Sequence, residues 1–324
     1  MRSLAAFSVC AAGMLLAMYA GGIVQEVLAQ DAPAQDAPQK DQAQASFKST
    51  TNLVVIPVSV TDTANRFVLG LQKEDFHLFE DGVEQTIAHF SGEDAPLSVG
   101  LAFDESGSMD LKLRRSRDAA AQLLKTMNGD DEAFLVEFND KAKVSVPFTS
   151  KPQAIETALT NSQPGGLTAM FDAIDAAVRE MKKAKNPRKA IVIVSDGGDN
   201  SSHYTASQIE ALVREADVEI YAMGVFETTF GLGLSTEEIS GPKLLSEIAT
   251  QTGGRAFAAT LSSDLPAVAA RIAIELRNQY VLAYYPKDQV HDGKYHKVEV
   301  KLAQPKGLPA VKAHWRTGYY APSE

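Results

Sequence analysis

LSVGLAFDESGS, residues 97–108, decides how this chain is read. The run LSVGLAF is unbroken by charge and gives way at once to Asp104-Glu105-Ser106-Gly107-Ser108. A short apolar run closed by a polar loop reads as a strand buried on both faces, and such strands belong to parallel sheets covered by helices. The sequence downstream keeps to that alternation. AFLVEF (133–138), KVSVPF (143–148), AIVIVS (190–195), EIYAMGV (219–225) and RAFAAT (255–260) are strand-like, and helices are expected over 111–127, 168–184, 206–215 and 242–251. Residues 94–277 are therefore expected to form a doubly wound α/β unit with a mainly parallel sheet.

The flanks have a different period. Residues 53–61 (LVVIPVSVT), 66–71, 76–80 and 85–91 alternate apolar and polar side chains, as half-buried strands do, and Glu80-Asp81-Gly82 is a hairpin turn signal. After a helix expected over 263–276, strand-like runs return at 279–285, 295–302 and 312–320. The segments 47–93 and 278–324 are expected to pair into one all-β, sandwich-like segment with the α/β unit inserted between them. Trp315, Tyr319 and Tyr320, with Tyr284 and Tyr285, are expected in its core.

The amino end reads as an address label. Arg2, an apolar run over 4–20 and Val27-Leu28-Ala29 fit a signal peptide of residues 1–29 cleaved after Ala29; an uncleaved membrane anchor is the competing reading. Cys10, the single cysteine, lies inside that segment, so the mature chain has no disulfide, a pattern common in bacterial envelope proteins. Residues 30–46, QDAPAQDAPQKDQAQAS, hold no large apolar side chain and read as a disordered linker. An exported protein follows: periplasmic, cell-surface or secreted. The rest is ordinary for a folded protein, with 45% hydrophobic and 22% charged residues. A net charge of -10 argues against nucleic acid as a partner and leaves membrane association only to the amino-terminal segment.

Open parallel sheets bind ligands at the carboxyl ends of their strands, so the loops there carry the chemistry. In the first, Asp104, Ser106 and Ser108 recur at every second residue and can turn their oxygens to one side. A second loop, Gly165-Gly166-Leu167-Thr168, delivers a hydroxyl, and a third, Asp196-Gly197-Gly198-Asp199, puts a carboxylate after the run AIVIVS. Each has a plain structural reading: Asp, Ser and Thr cap helices, and Asp-Gly makes turns. Taken together, two carboxylates and three hydroxyls make an all-oxygen site suited to magnesium, manganese or calcium rather than zinc.

With these three loops in order, residues of about 95–275 resemble the von Willebrand factor A (VWA) family, and the loops match its metal-ion-dependent adhesion site (MIDAS). The resemblance implies a Rossmann-like fold, metal ligands at Asp104, Ser106, Ser108, Thr168 and Asp196, Mg2+ as the ion with Mn2+ or Ca2+ as alternatives, and a partner protein that supplies an Asp or Glu carboxylate. Glu105 stands where the family often has Gly, a position not expected to touch the metal. The flanks, EDGVEQTI (80–87) and HWRTGYYAP (314–322), are similar to bacterial exported proteins built around such domains. No enzyme is expected: the nucleophile elbow G-x-S-x-G and the phosphate-binding G-x-x-x-x-G-K-S/T are both missing from the sequence, and the site carboxylates would be taken up by metal. A scaffolding role in which metal only stabilises the fold is the alternative; a metal-dependent hydrolase ranks below it. Asp199 is a candidate outer partner of the site, the six histidines show no paired ligand spacing, and residues 228–240 read as a mobile insertion beside the site.

Overall fold

Four strands precede the apolar run at 97–103: β1 (Val54–Asp62), β2 (Phe76–Glu80), β3 (Val83–Gln85) and β4 (Ile87–Ser91). The α/β unit follows as β5 (Leu97–Asp104), α1 (Leu113–Leu124), β6 (Glu132–Phe138), β7 (Ala142–Thr149), α2 (Pro152–Asn161), α3 (Met170–Met181), β8 (Arg188–Ser195), α4 (Ala206–Glu215), β9 (Glu219–Val225), α5 (Thr236–Gln251), β10 (Ala256–Ala259) and α6 (Leu265–Arg277). The chain closes with β11 (Tyr280–Tyr284), β12 (Tyr295–Leu302), β13 (Val311–Trp315) and β14 (Gly318–Tyr320). This computed structural model describes residues 53–225, 236–288, 291–303 and 310–323, and all their side chains but those of 225 and 236–240. The expected leader (1–29), the linker (30–46) and most of the insertion (228–240) lie outside the described residues.

The central sheet runs β10-β9-β8-β5-β6-β7. All neighbours are parallel except β6 and β7, whose three-residue link is too short for a crossover and forces an antiparallel pair. Every residue of β5 is buried, because both faces are covered. Leu97, Val99, Leu101 and Phe103 join Val192 and Val194 in a core under α1, α2 and α6. Ala102, Ile191 and Ile193 face the opposite core under α3, α4 and α5. The fold is α/β, with helices on both faces of a mainly parallel sheet and antiparallel sheets beside it.

Strands from both ends of the chain share those antiparallel sheets. One is ordered β13-β1-β11-β4 and the other β14-β12-β2-β3. Their inward residues, among them Ile56, Val58, Leu78, Leu282, Tyr284 and Val300, form a single apolar core. Trp315 and Tyr319 pack against it, whereas Tyr285 and Tyr320 are exposed at 42% and 39%. Polar groups join this sandwich to the amino ends of the parallel strands: Arg188, first residue of β8, reaches Asp94, the carbonyl of Leu276 and Gln279, and Gln279 Nε2 donates to both oxygens of Glu219, first residue of β9. The carboxyl ends are thereby left free for a site.

Some elements differ from the sequence expectation. Residues 66–71 give only an isolated bridge, Thr61 to Phe67, because Asn65 and Gly70 both take positive φ and turn the chain out of the ladder. Helix α2 was not anticipated; Pro152 at its start and the buried pair Ile155 and Leu159 are its signals. Pro242, expected to open a helix, lies inside α5.

Candidate metal centre

Chain order reverses at β5: β6 and β7 lie to one side of it, β8, β9 and β10 to the other. In open α/β sheets the crevice at such a switch point receives ligands. Here the two strands flanking it are β5 and β8, which pair in register from Leu97 with Arg188 to Phe103 with Val194. Their next residues, Asp104 and Ser195, are consequently neighbours, and Asp196 follows directly.

Asp104 is fully buried and Asp196 is 4% exposed. Burial and the nearby Asp196 carboxylate push Asp104 up to about 6, against hydrogen bonds that favour its charged form. Those bonds come from Ser106 N to Oδ1 at 2.8 Å and Ser195 Oγ to Oδ2 at 2.6 Å. Ser106 Oγ lies 3.0 Å from Ser108 Oγ; the two hydroxyls meet across a 3-10 turn over Gly107–Met109, not along the extended loop that the alternate spacing suggested. Ser106 is buried and Ser108 exposed, which leaves one hydroxyl toward the protein and one toward solvent. Thr168 is buried just ahead of α3.

The loops are tied to one another by backbone and side-chain bonds. Gly165 N donates to the carbonyl of Glu105, and Gly107 N to that of Gly166, joining the first loop to the second. Asn200 accepts from Thr168 N at 2.8 Å through Oδ1, and the amides of Asn200 and Ser201 donate to the Thr168 carbonyl, joining the second to the third. Gly166 takes φ 81° and an added Cβ would stand 2.6 Å from Asp140 Oδ2; the Asp140 carboxylate uses its Oδ1 to accept from Leu167 N. Gly197 takes φ 88° and rests on the backbone of Gly241 in α5, which locates the turn after Asp196.

Sequence reasoning overlooked two residues here. Lys112 Nζ lies 3.0 Å from Asp196 Oδ2, with the lysine side chain only 13% exposed. Its signal was its position: Lys112 is the residue before α1, where the helix dipole disfavours a cation, so a lysine there asks for an anionic partner. Ser195 was visible as a polar residue closing a buried apolar strand. Asp199 does not meet the five site residues in a hydrogen bond; its Oδ2 accepts from Phe171 N at 2.9 Å and Ser202 Oγ at 2.6 Å, capping the start of α3. The Glu105 carboxyl turns toward Glu137 and Arg117, and burial, with repulsion from Glu137, pushes it up to about 7.

The donor set at the switch point consists of oxygen atoms alone, two of them from buried carboxylates, and it fits a hard divalent cation. A separate group is formed by Glu80, Asp81 and His296 in the sandwich. There His296 Nδ1 lies 2.8 Å from Asp81 Oδ2 and Nε2 lies 3.3 Å from Asp292 Oδ1, so both ring nitrogens are already engaged by carboxylates.

Residues 100–198 match the family profile of the von Willebrand factor type A domain, a segment that runs from β5 through the third loop and holds all five site residues. An uncharacterized protein of Borreliella burgdorferi is 24% identical over 165 residues, covering 46% of this chain; the chain spans about half the length of that curated relative, 48%. Similar solved structures include the conserved hypothetical protein BatB from Bacteroides thetaiotaomicron, at 19% identity and TM-score 0.44, covering 55% of this chain and 98% of that one. The vWF domain of the type V pili tip protein Mfa5 from Porphyromonas gingivalis is 13% identical with TM-score 0.46, covering 56% and 95%. Proximal thread matrix protein 1 from the mussel byssus, solved with a zinc-occupied MIDAS motif, is 17% identical with TM-score 0.47, covering 61% and 49%.

Proposed function

We propose that this chain, which carries a von Willebrand factor type A domain, is a non-catalytic protein-binding module that works through one divalent cation. Asp104, Ser106, Ser108, Thr168 and Asp196 would hold the ion, Mg2+ with Mn2+ or Ca2+ as alternatives, and the ion would supply a positive point for an Asp or Glu carboxylate of a partner protein. The observation that carries the reading is the pairing of β5 with β8 at the switch point, which brings two buried carboxylates to one crevice. Burying two like charges side by side is costly without compensating cations; the Lys112 ammonium, 3.0 Å from Asp196 Oδ2, offsets one of the two, and a divalent ion would offset the rest.

The amino-terminal sequence supports export to the bacterial envelope or beyond, with residues 1–29 as leader. Among the described residues no helix is long and apolar enough to cross a membrane. The segments 47–93 and 278–324 are read as one β unit carrying the VWA segment 94–277.

Calorimetry on the full chain tests the reading. Mn2+ or Mg2+ should bind wild type and fail to bind Asp104→Ala at matched folded content. A wild type that is folded and binds neither ion would remove the cation from the function.

A further inference from the structure

We infer that Lys112 is an internal cation that competes with the metal for Asp196; the inference rests on the metal-site reading above. Lys112 Nζ lies 3.0 Å from Asp196 Oδ2, and the two side chains are 13% and 5% exposed, so the pair is largely withdrawn from water. Its backbone is fixed: the amide donates to the carbonyl of Met109, and its own carbonyl accepts from the Ser116 amide and hydroxyl at the start of α1. Only the four-carbon stem is left to move, and that stem is flexible.

Charge counting gives the consequence. Asp104 and Asp196 contribute two negative charges at the crevice, and Lys112 offsets one. A dication held by the same Asp196 carboxylate would stand beside the ammonium in a site of low polarisability, where repulsion between them exceeds the return from one charge-assisted hydrogen bond. The metal therefore drives the Lys112 ammonium off Asp196 and toward solvent. Lys112 in this way does two things: it keeps the third loop in place when metal is withdrawn, and it raises the metal concentration at which the site fills.

The test compares Mn2+ binding by calorimetry to the full-length wild type, Lys112→Met and Lys112→Arg. Lys112→Met should bind at least about tenfold more tightly than wild type, and Lys112→Arg should stay near wild type. Without metal, Lys112→Met should melt lower than wild type, and saturating Mn2+ should raise its melting temperature by more. Equal or weaker binding by a folded Lys112→Met, with wild type still binding, would overturn the role of Lys112 and leave the metal site standing. Binding by none of the three would overturn both. Should Lys112→Met not fold, the wild type alone decides: acylation of Lys112 by an amine-reactive reagent, mapped by mass spectrometry against Lys125, should rise severalfold when Mn2+ is bound and fall again with chelator. Unchanged labelling at saturating metal would overturn the displacement.

Discussion

The hydroxyl of Ser195, last residue of β8, donates a 2.6 Å hydrogen bond to Oδ2 of Asp104, last residue of β5. Ser195 Oγ in turn accepts from Gly197 N at 3.0 Å, so one buried serine orients both the first-loop carboxylate and the turn that carries Asp196. Groups that orient metal ligands are worth about 10–100-fold in affinity. Ser195→Ala should weaken Mn2+ binding by about tenfold or more while the protein remains folded, as titration calorimetry and circular dichroism together would show. Undiminished affinity would mean that Asp104 is positioned by its burial alone.

Metal binding should depend on pH through Asp104. Its carboxyl, pushed up to about 6 by burial and by Asp196, must lose its proton to hold a cation. Affinity should be nearly flat above pH 7 and fall by about tenfold for each unit below 6, the slope of one proton in competition with one ion. In the metal-free protein the sign is opposite: the raised value means the folded state holds its proton more tightly than the unfolded chain, so stability falls as pH rises from about 4 toward 6. Titrations at pH 5, 6, 7 and 8 check the first part; a pH-independent affinity would exclude Asp104 as a ligand.

Glu219 provides a second pH effect, remote from the site. It is buried where β9 meets the sandwich, and burial pushes it up to about 8. Since the unfolded chain loses this proton near the ordinary glutamate value, the folded state binds the extra proton between roughly 4.5 and 8. Stability is then lost as pH rises through that window. Glu219→Gln keeps an oxygen for Gln279 Nε2, and it should melt higher than wild type at pH 8 and show a flatter profile between pH 5 and 8. A parallel decline in both proteins would place the pH sensitivity elsewhere.

Gly241 should tolerate no side chain. A Cβ there would fall inside the Gly197 carbonyl group, backbone that has no freedom to give. Overpacking of this kind costs about 1–3 kcal/mol, and here it also displaces the turn after Asp196. Gly241→Ala is expected to lower stability by that amount in urea and to weaken Mn2+ binding at the same time. Loss of stability with unchanged binding would show that α5 does not locate the third loop.

The parts of the fold that rest on local periodicity were legible from residues alone. The apolar runs over 97–103 and 190–195 announce doubly covered strands, and β5 and β8 are such strands. Helix α4 begins and ends where expected, at Ala206 and Glu215, because Thr205 and Gln208 form a capping box that the sequence displays. Two elements departed from that reading. The run over 66–71 alternates like a strand, yet positive φ at Asn65 and Gly70 leaves it a single bridge. Helix α2 carries its own signals, Pro152 at its start and Ile155 and Leu159 four residues apart, and the packing of that pair in the core under the sheet holds it.

The candidate site divides in the same way. The residue types and their order, Asp104-x-Ser106-x-Ser108, then Thr168, then Asp196, were determined by the sequence itself, because side-chain chemistry and spacing within one loop are local properties. The meeting of those loops was decided by tertiary structure, since residues 104 and 196 become neighbours only when β5 and β8 pair at the reversal of strand order. So were the roles of Ser195 and Lys112. A serine closing a strand and a lysine opening a helix gain their meaning from the carboxylates across the crevice, Asp104 for one and Asp196 for the other, and contact between residues more than 80 positions apart depends on how the chain crosses over, which spacing along the chain does not encode.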